Sequence, residues 1–234
     1  MSRQLSLLAQ LARAETIAER FVRMQRYEQQ AYRDGVSAIA GVDEAGRGCL
    51  AGPVVAAAVI LPRTWAIAEV NDSKQLTPTQ REELFVAIVE QAVSFGVGVI
   101  AADVIDRVNI LQATYLAMAQ AIAALSPTPE LLLLDAVALK NVPLPQRSII
   151  KGDTLSISIA AASIIAKVTR DHLMGAYDRE FPAYGFAAHK GYGTQQHRAA
   201  IAAHGPCPIH RVSFRGVKEY VKLSNRANAS TRLI

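Results

Sequence analysis

The chain has 234 residues, of which 51% are hydrophobic, and carries a formal net charge of +5. This length allows one sizeable hydrophobic core, but no window holds the roughly 18 uninterrupted apolar residues of a membrane span, and charged residues interrupt residues 1–35 where a secretory signal would need an apolar run. Cys49 and Cys207 do not form a disulfide framework, so we expect a cytoplasmic protein with reduced thiols and no membrane partner.

The N-terminal part of the chain predicts an arm followed by two strands and a helix. Apolar residues recur at helical spacing over residues 1–35, which predicts a helical arm. From residue 38, the runs SAIAGVDE and VVAAAVIL predict neighbouring buried strands joined by a glycine-rich loop. Thr77 as N-cap and Pro78 in the first turn predict the start of the next helix.

Strands and helices alternate in the rest of the chain. SFGVGVIAA, ELLLLD and RSIIKGD predict three further strands, and residues 103–125 and 156–181 predict long helices. The order predicts an α/β fold with a mixed sheet flanked by helices. We expect an arm over residues 1–35, one domain over 36–220 that includes a C-terminal helical segment, and a tail over 221–234.

The positive charge is concentrated in the C-terminal part. Residues 187–234 hold eight Lys and Arg and one acidic residue, a formal charge of +7, which leaves −2 for the rest of the chain. This asymmetry favours a polyanionic partner such as nucleic acid. A basic tail that only keeps the protein soluble is the alternative.

The stretch VDEAGRGCLAGP, residues 42–53, combines a glycine loop with two carboxylates. A dinucleotide-binding loop requires G-x-G-x-x-G at the start of a helix. Here Gly46 and Gly48 are followed by Gly52 one residue too late, and Pro53 begins another strand-like run. The sequence therefore disfavours a nucleotide loop.

Acidic residues end separate predicted strands. Asp43 and Glu44 end the first strand and Asp135 ends LLLLD, while a fourth acid could be Asp171 on the Ala-rich helix or Asp153 after the fifth strand. Sites in open α/β sheets form beyond the carboxyl ends of strands, and clustered carboxylates suit Mg²⁺ or Mn²⁺. Two such ions about 4 Å apart can clamp the attacking and leaving oxygens of a phosphodiester.

Each acid also has a purely structural explanation. A strand-end acid can be a solvated turn residue, Asp153 can cap a helix, and Asp171 can be a surface charge beside Arg170. Moreover, adjacent strand residues point to opposite faces. Asp43 and Glu44 can therefore face one metal ion only if the strand ends or bends at Glu44.

Six motifs resemble those of the bacterial ribonuclease HII family, in the family's order and over roughly residues 36–220. They are GVDEAGRGCLAGPVVAAAVIL, NDSKQLTPTQREEL, LLLLDAVAL, KGDTLSISIAAASIIAKVTRD, FPAYGFAAHKGYGT and PIHRVSF. D-E-A-G-R-G followed by G-P-V is highly specific for the type 2 ribonucleases H. The resemblance implies a ribonuclease H-like fold with a five-stranded mixed sheet, and we expect a monomer.

The resemblance also implies an activity and its catalytic residues. The enzyme would cleave the RNA strand of RNA–DNA hybrids and cut 5′ to single ribonucleotides in duplex DNA, leaving 3′-hydroxyl and 5′-phosphate ends. Two Mn²⁺ or Mg²⁺ ions would be bound by the carboxylates of Asp43, Glu44, Asp135 and Asp171, with Asp153 in KGDT as the competitor of Asp171. A non-catalytic nucleic-acid binder is the alternative, but it gains nothing from carboxylates clustered near phosphates.

By the same resemblance, other residues would contact the substrate. Gly46, Arg47 and Gly48 would sense the ribose 2′-hydroxyl, Tyr192 would stack on a sugar, and Ser73 and Lys74 would lie near the nucleic-acid backbone. Without the family, the residues around Tyr192 favour a loop anchor with a bonded hydroxyl over stacking on a sugar. The family usually has LVDG at the third acid, so the AVAL that follows Asp135 indicates a different downstream loop.

The remaining polar residues carry weaker signals. We expect Lys167 and Arg170 to be surface charges. Arg211 and Arg215 either contact a nucleic-acid backbone or belong to a solvated basic face. His204, Cys207 and His210 lack paired C-x-x-C motifs, so they predict packing or phosphate contacts rather than a zinc site.

Overall fold

The protein is described by a computed structural model that covers residues 15–221. Residues 1–14 of the predicted arm and 222–234 of the predicted tail lie outside the described residues. The described part of the arm consists of helix α1 (Ile17–Met24) and helix α2 (Arg26–Arg33). The domain boundaries at residues 35 and 220 remain predictions.

The strands form one five-stranded mixed sheet in the order β3-β2-β1-β4-β5. Strands β1 and β2 and strands β2 and β3 pair antiparallel, whereas β1 and β4 and β4 and β5 pair parallel. The prediction of a five-stranded mixed sheet is confirmed. The strands are β1 (Ile39–Ala45), β2 (Val54–Ile60), β3 (Ser94–Ile100), β4 (Leu131–Asp135) and β5 (Gln146–Ile149).

The helices largely follow the predicted order, with two differences. The predicted helix over 103–125 is two helices, because Asn109 has a φ of 70° and its side chain caps the second helix at the N–H of Leu111 and Gln112. The predicted loop after residue 181 contains a short helix. The helices are α3 (Pro78–Gln91), α4 (Ala102–Val108), α5 (Ile110–Ala123), α6 (Ile157–Glu180), α7 (Phe186–His189) and α8 (Gln195–His204).

Helices cover both faces of the sheet. Helix α5 packs with Ala40, Val42 and Leu134 on one face, and α6 packs against β1 and β2 on the other. A Cβ on Gly41 would overlap the backbone of Ser158, so this glycine lets α6 lie directly on β1. Within residues 15–221, no helix is long and apolar enough to cross a membrane.

Candidate active site

Three carboxylates meet where the parallel strands of the sheet end. The register of β1 and β4 pairs Gly41 with Leu133 and Val42 with Leu134, so the next two residues in line are Asp43 and Asp135. Each of Asp43, Asp135 and Asp153 has an oxygen within 4.8 Å of the oxygens of the other two. Among residues 15–221, no other group of acidic, histidine or cysteine side chains has the spacing of a metal site.

A tight turn after β5 brings Asp153 to this group. Lys151 adopts a left-handed conformation with φ of 58°, and the N–H of Gly152 donates a 2.7 Å hydrogen bond to Oδ1 of Asp135. A Cβ on Gly152 would lie only 2.6 Å from Cδ1 of Ile159, so a larger residue would displace the turn. Asp153 is not the helix cap that it could have been, because Ser156 caps α6.

The structure does not place Asp171 in the three-carboxylate group. Asp171 lies on α6, and its Oδ1 accepts a 2.6 Å hydrogen bond from Nζ of Lys167, one helical turn away. Both side chains are largely covered, so Lys167 is not the freely solvated surface charge expected from the sequence. Of the two candidates for the fourth acid, Asp153 is therefore the one beside Asp43 and Asp135.

Glu44 lies next to the group without joining it. The strand does not end at Glu44, because β1 continues through Ala45 and Glu44 pairs with Ala56 of β2. Regular alternation therefore separates the side chains of Asp43 and Glu44. The Glu44 carboxylate accepts a 3.1 Å hydrogen bond from Arg47.

Burial and mutual repulsion raise the pKa of Asp43, Asp135 and Glu44. Burial, followed by the neighbouring charge of Glu44, raises the pKa of Asp43 well above its usual value, and the charges of Asp135 and Asp153 add to the shift. Burial also raises the pKa of Asp135 and of Glu44, the latter against the opposing charge of Arg47. A bound cation would offset this repulsion.

Lys74 supplies a positive charge from the chain itself. Its Nζ donates a 2.9 Å hydrogen bond to Oδ2 of Asp153 and lies 3.7 Å from Oδ1 of Asp72. Burial opposes the ammonium, but the hydrogen bond and charge of Asp153 outweigh it and raise the pKa of Lys74. The neighbouring Ser73 is buried, and its carbonyl accepts a hydrogen bond from Arg81.

The two glycines of the predicted sugar-binding loop have different surroundings. Gly46 is buried with φ of 93°, and a Cβ there would overlap Nε of Arg170. Gly48 is exposed, and a Cβ there would meet nothing within 4 Å, so the protein interior does not explain this glycine. An open glycine lets a ligand approach the backbone closely.

The loop that carries Tyr192 packs against this glycine loop. The N–H of Leu50 donates a 2.8 Å hydrogen bond to the carbonyl of Gly191, and the ring of Tyr192 is 45% exposed. The Tyr192 carbonyl is held by Nδ1 of His197 at 2.9 Å. The residues with predicted roles in reading the sugar therefore lie on two adjoining loops.

Two arginines have a different environment from the one that the sequence suggested. Arg170 and Arg211 were expected at the surface or against a phosphate backbone, yet they are 1% and 0% exposed. All of their hydrogen bonds described here go to backbone carbonyls. Arg170 lies in the motif AKVTRD and Arg211 in PIHRVSF, which marks both as members of family motifs. Neither motif indicates that the arginine is buried.

The histidines near the C-terminal part pack together rather than bind metal. In the described part of the chain, His204, Cys207 and His210 do not form a group with metal-site spacing. Nε2 of His197 lies 3.0 Å from Nε2 of His210, and burial lowers the pKa of both rings to about 4. The His197 and His210 rings therefore stay neutral at physiological pH.

Comparisons with known proteins agree with this geometry. The family model described as Ribonuclease HII matches residues 40–217. The chain is 58% identical over 204 residues to a ribonuclease HII of Ruminiclostridium cellulolyticum. The aligned residues cover 87% of this chain and 79% of that protein. It is 54% identical over 217 residues to a ribonuclease HII of Geobacillus kaustophilus, with 93% and 83% covered.

A solved structure supports the same conclusion. The ribonuclease H2 of Pyrococcus horikoshii superposes with a TM-score of 0.66 at 27% identity, covering 78% of this chain and 96% of that chain. The expected ribonuclease H-like fold is thereby confirmed. Because the family match and the identities span most of its length, the chain belongs to the ribonuclease HII family, the endonucleases that cleave RNA in RNA–DNA hybrids.

Proposed function

We propose that the chain is a divalent-metal-dependent endonuclease that also cuts 5′ to single ribonucleotides embedded in duplex DNA. It acts as a cytoplasmic monomer on RNA–DNA hybrids and on ribonucleotide-containing DNA. The observation that carries the proposal is the group of Asp43, Asp135 and Asp153 oxygens within 4.8 Å, beside the loop that contains the open Gly48. In a protein that only bound nucleic acid, these negative charges near a phosphate would weaken the binding.

The donor set fits Mg²⁺ or Mn²⁺. All of the candidate ligands are carboxylate oxygens, which these hard cations prefer, and the group contains neither histidine nor cysteine. Asp43, Asp135 and Asp153 would hold one ion, and Glu44, which lies close enough for the charges of Asp135 and Lys74 to shift its pKa, would contribute to a site for a second. When bound, the ions supply Lewis-acid activation and charge stabilisation at the phosphodiester.

The protein's own residues position the carboxylates and the substrate. The Gly152 N–H and the Lys74 ammonium fix the orientations of Asp135 and Asp153. The backbone at Gly48 approaches the ribose and senses its 2′-hydroxyl, which distinguishes RNA from DNA. The exposed ring of Tyr192 stacks on the neighbouring sugar.

The proposed end groups of the products follow from the family resemblance. The carboxylate group, within residues 15–221, includes neither cysteine nor histidine, and the family's reaction requires no protein nucleophile. Water is the attacking group, and the 3′-oxygen is the leaving group. Cleavage produces a 3′-hydroxyl and a 5′-phosphate, and the 2′-hydroxyl is recognised without reacting.

The test is cleavage of a DNA duplex with one embedded ribonucleotide and of an RNA–DNA hybrid, each with Mn²⁺, Mg²⁺ or EDTA. We expect cutting only with metal, immediately 5′ to the ribonucleotide. Asp43→Asn should abolish cleavage while the fold and duplex binding persist. Asp153→Asn should reduce the rate by at least ~10²-fold, as expected for loss of a group that stabilises the transition state.

The matched control is Asp171→Asn, which removes the other candidate for the fourth acid. It should keep cleavage within roughly threefold of the unmodified protein, because Asp171 pairs with Lys167 instead of facing Asp43. If Asp171→Asn eliminates cleavage and Asp153→Asn does not, our assignment of the fourth acid is wrong. If the unmodified protein leaves the single-ribonucleotide duplex intact, the proposed substrate is wrong.

A further inference from the structure

Two buried guanidinium groups lie behind the glycine loop, residues 46–53. Arg170 comes from α6, and Arg211 follows the isolated bridge that pairs His210 with Ala51. Both are almost completely inaccessible to solvent, and in the described part of the chain neither forms an ion pair with a carboxylate. Burying a charge without a counterion costs free energy, and hydrogen bonds offset that cost only in part. A side chain that carries such a cost suggests a functional role.

The two side chains bind five carbonyl oxygens of the glycine loop. Arg211 donates from NH1 to the Arg47 carbonyl at 2.8 Å, from NH2 to the Gly46 carbonyl at 2.7 Å, and from Nε to the Gly52 carbonyl at 3.1 Å. Arg170 donates from Nε to the Pro53 carbonyl at 3.0 Å and from NH2 to the Ala51 carbonyl at 3.1 Å.

Arg170 also connects this loop to the loop of Tyr192. Its NH1 donates a 2.9 Å hydrogen bond to the carbonyl of Lys190, two residues before Tyr192. Arg170 fills the space beside Gly46, which is why that position cannot carry a Cβ. One guanidinium therefore sets the position of both sugar-reading loops.

Holding the carbonyls inward leaves the amides of the loop tip available. Within residues 15–221, the N–H groups of Arg47 and Gly48 donate no hydrogen bond, whereas the N–H of Leu50 is already paired with Gly191. Arg47 and Gly48 are also the exposed residues of the tip. The positive charge of Arg211 lies behind these amides, and a positive charge beside free N–H groups favours an oxygen-rich ligand.

We propose that Arg170 and Arg211 are positioning residues that orient the glycine loop so that its free amides discriminate a ribonucleotide from a deoxyribonucleotide. This inference rests on the proposed function, because it assigns a specificity role to residues that do not touch the substrate. Burial lowers the pKa of Arg211 to about 10, so the side chain still carries its charge at neutral pH.

The test uses Arg211→Lys, which keeps a positive charge but cannot span three carbonyls. The full-length protein is compared with Arg107→Lys, a control on the exposed face of α4. Dissociation constants are measured in Ca²⁺, in place of the catalytic metal, for a duplex with one ribonucleotide and for the same duplex made only of DNA. Mn²⁺ binding is measured by calorimetry, and folding by circular dichroism.

We expect Arg211→Lys to reduce the ratio of the two dissociation constants at least fivefold, mainly through weaker binding of the ribonucleotide duplex. Mn²⁺ binding should stay within twofold, because the carboxylate group is untouched, and kcat/KM should fall at least tenfold. Arg107→Lys should change none of these. A general loss of stability would weaken binding of both duplexes and of Mn²⁺ together. Wild-type discrimination in a folded Arg211→Lys protein would overturn the inference.

A second measurement avoids the risk that the variant does not fold. In the unmodified protein, hydrogen exchange at the amides of Arg47 and Gly48 should slow at least fivefold with the ribonucleotide duplex and less than twofold with the all-DNA duplex. Equal protection by the two duplexes would refute the role of the loop. An unmodified protein that cannot cleave the ribonucleotide duplex would instead refute the proposed function.

Discussion

Replacement of Asp43 by asparagine should stabilise the metal-free protein. Asp43 is only 5% exposed, and its Oδ1 accepts a 2.7 Å hydrogen bond from the N–H of Glu44. Asparagine has the same shape and keeps this acceptor oxygen, but it removes the charge. The substitution therefore isolates the electrostatic cost of bringing the acids together.

The size of the effect follows from the distances. Two unit charges separated by 4.8 Å, the limiting oxygen separation in the group, repel by about 3.5 kcal/mol at an effective dielectric constant near 20. Partial protonation and the nearby Lys74 ammonium reduce this cost, so we expect a net gain of about 2 kcal/mol for Asp43→Asn without metal. For a chain of this size, that corresponds to a rise in Tm of about 4–8 °C.

The sign of the pH dependence is also determined. Because the pKa of Asp43 is raised in the folded state, the folded protein binds the proton more tightly than the unfolded chain does. The destabilisation is therefore absent below the ordinary aspartate pKa of about 3.9 and develops as pH rises through the higher folded-state pKa. The difference in Tm between Asp43→Asn and the unmodified protein should grow from pH 4 to pH 8.

The assay is thermal unfolding by circular dichroism in EDTA and in Mn²⁺. Mn²⁺ should raise the Tm of the unmodified protein and of Asp171→Asn, but it should raise the Tm of Asp43→Asn much less. This readout is independent of catalysis. If Asp43→Asn in EDTA at pH 8 is less stable than the unmodified protein, the reasoning from carboxylate repulsion is refuted.

Two further predictions concern backbone conformation near the site. Gly48→Ala should reduce cleavage of the ribonucleotide duplex at least ~10-fold with little change in the free energy of unfolding. Gly46→Ala, in contrast, should lower the free energy of unfolding by about 2 kcal/mol because the new Cβ overlaps Arg170. Normal cleavage by Gly48→Ala would contradict a close approach of the substrate at this position. Ala136→Gly should stabilise the protein by about 0.5–1 kcal/mol in urea unfolding, since Ala136 has φ of 53°. The control Ala138→Gly, at a position without positive φ, should destabilise it. Equal effects of the two substitutions would show that Ala136 is unstrained.

The order of the predicted elements could be obtained from local patterns. Short Val- and Ile-rich runs alternate with helical periodicity, and Thr77 marks a helix start by the chemistry of its side chain. The break at Asn109 was not predicted, because a left-handed asparagine between two good helical segments leaves the apolar periodicity intact. The short helix Phe186–His189 was missed because glycines on both sides resemble a loop.

The amino-acid sequence by itself determined the family, the order of the strands along the chain and the candidate acids Asp43 and Asp135, because these depend on short motifs of residues close together in sequence. Only the tertiary structure placed Asp153, and not Asp171, beside Asp43 and Asp135, since this placement depends on the turn at Gly152 and on which partner each carboxylate finds. The burial of Arg211 likewise depends on carbonyls more than 150 residues away in the chain. Local pattern fixes the backbone class of a segment, but the environment of a charged side chain is set by the segments that pack around it.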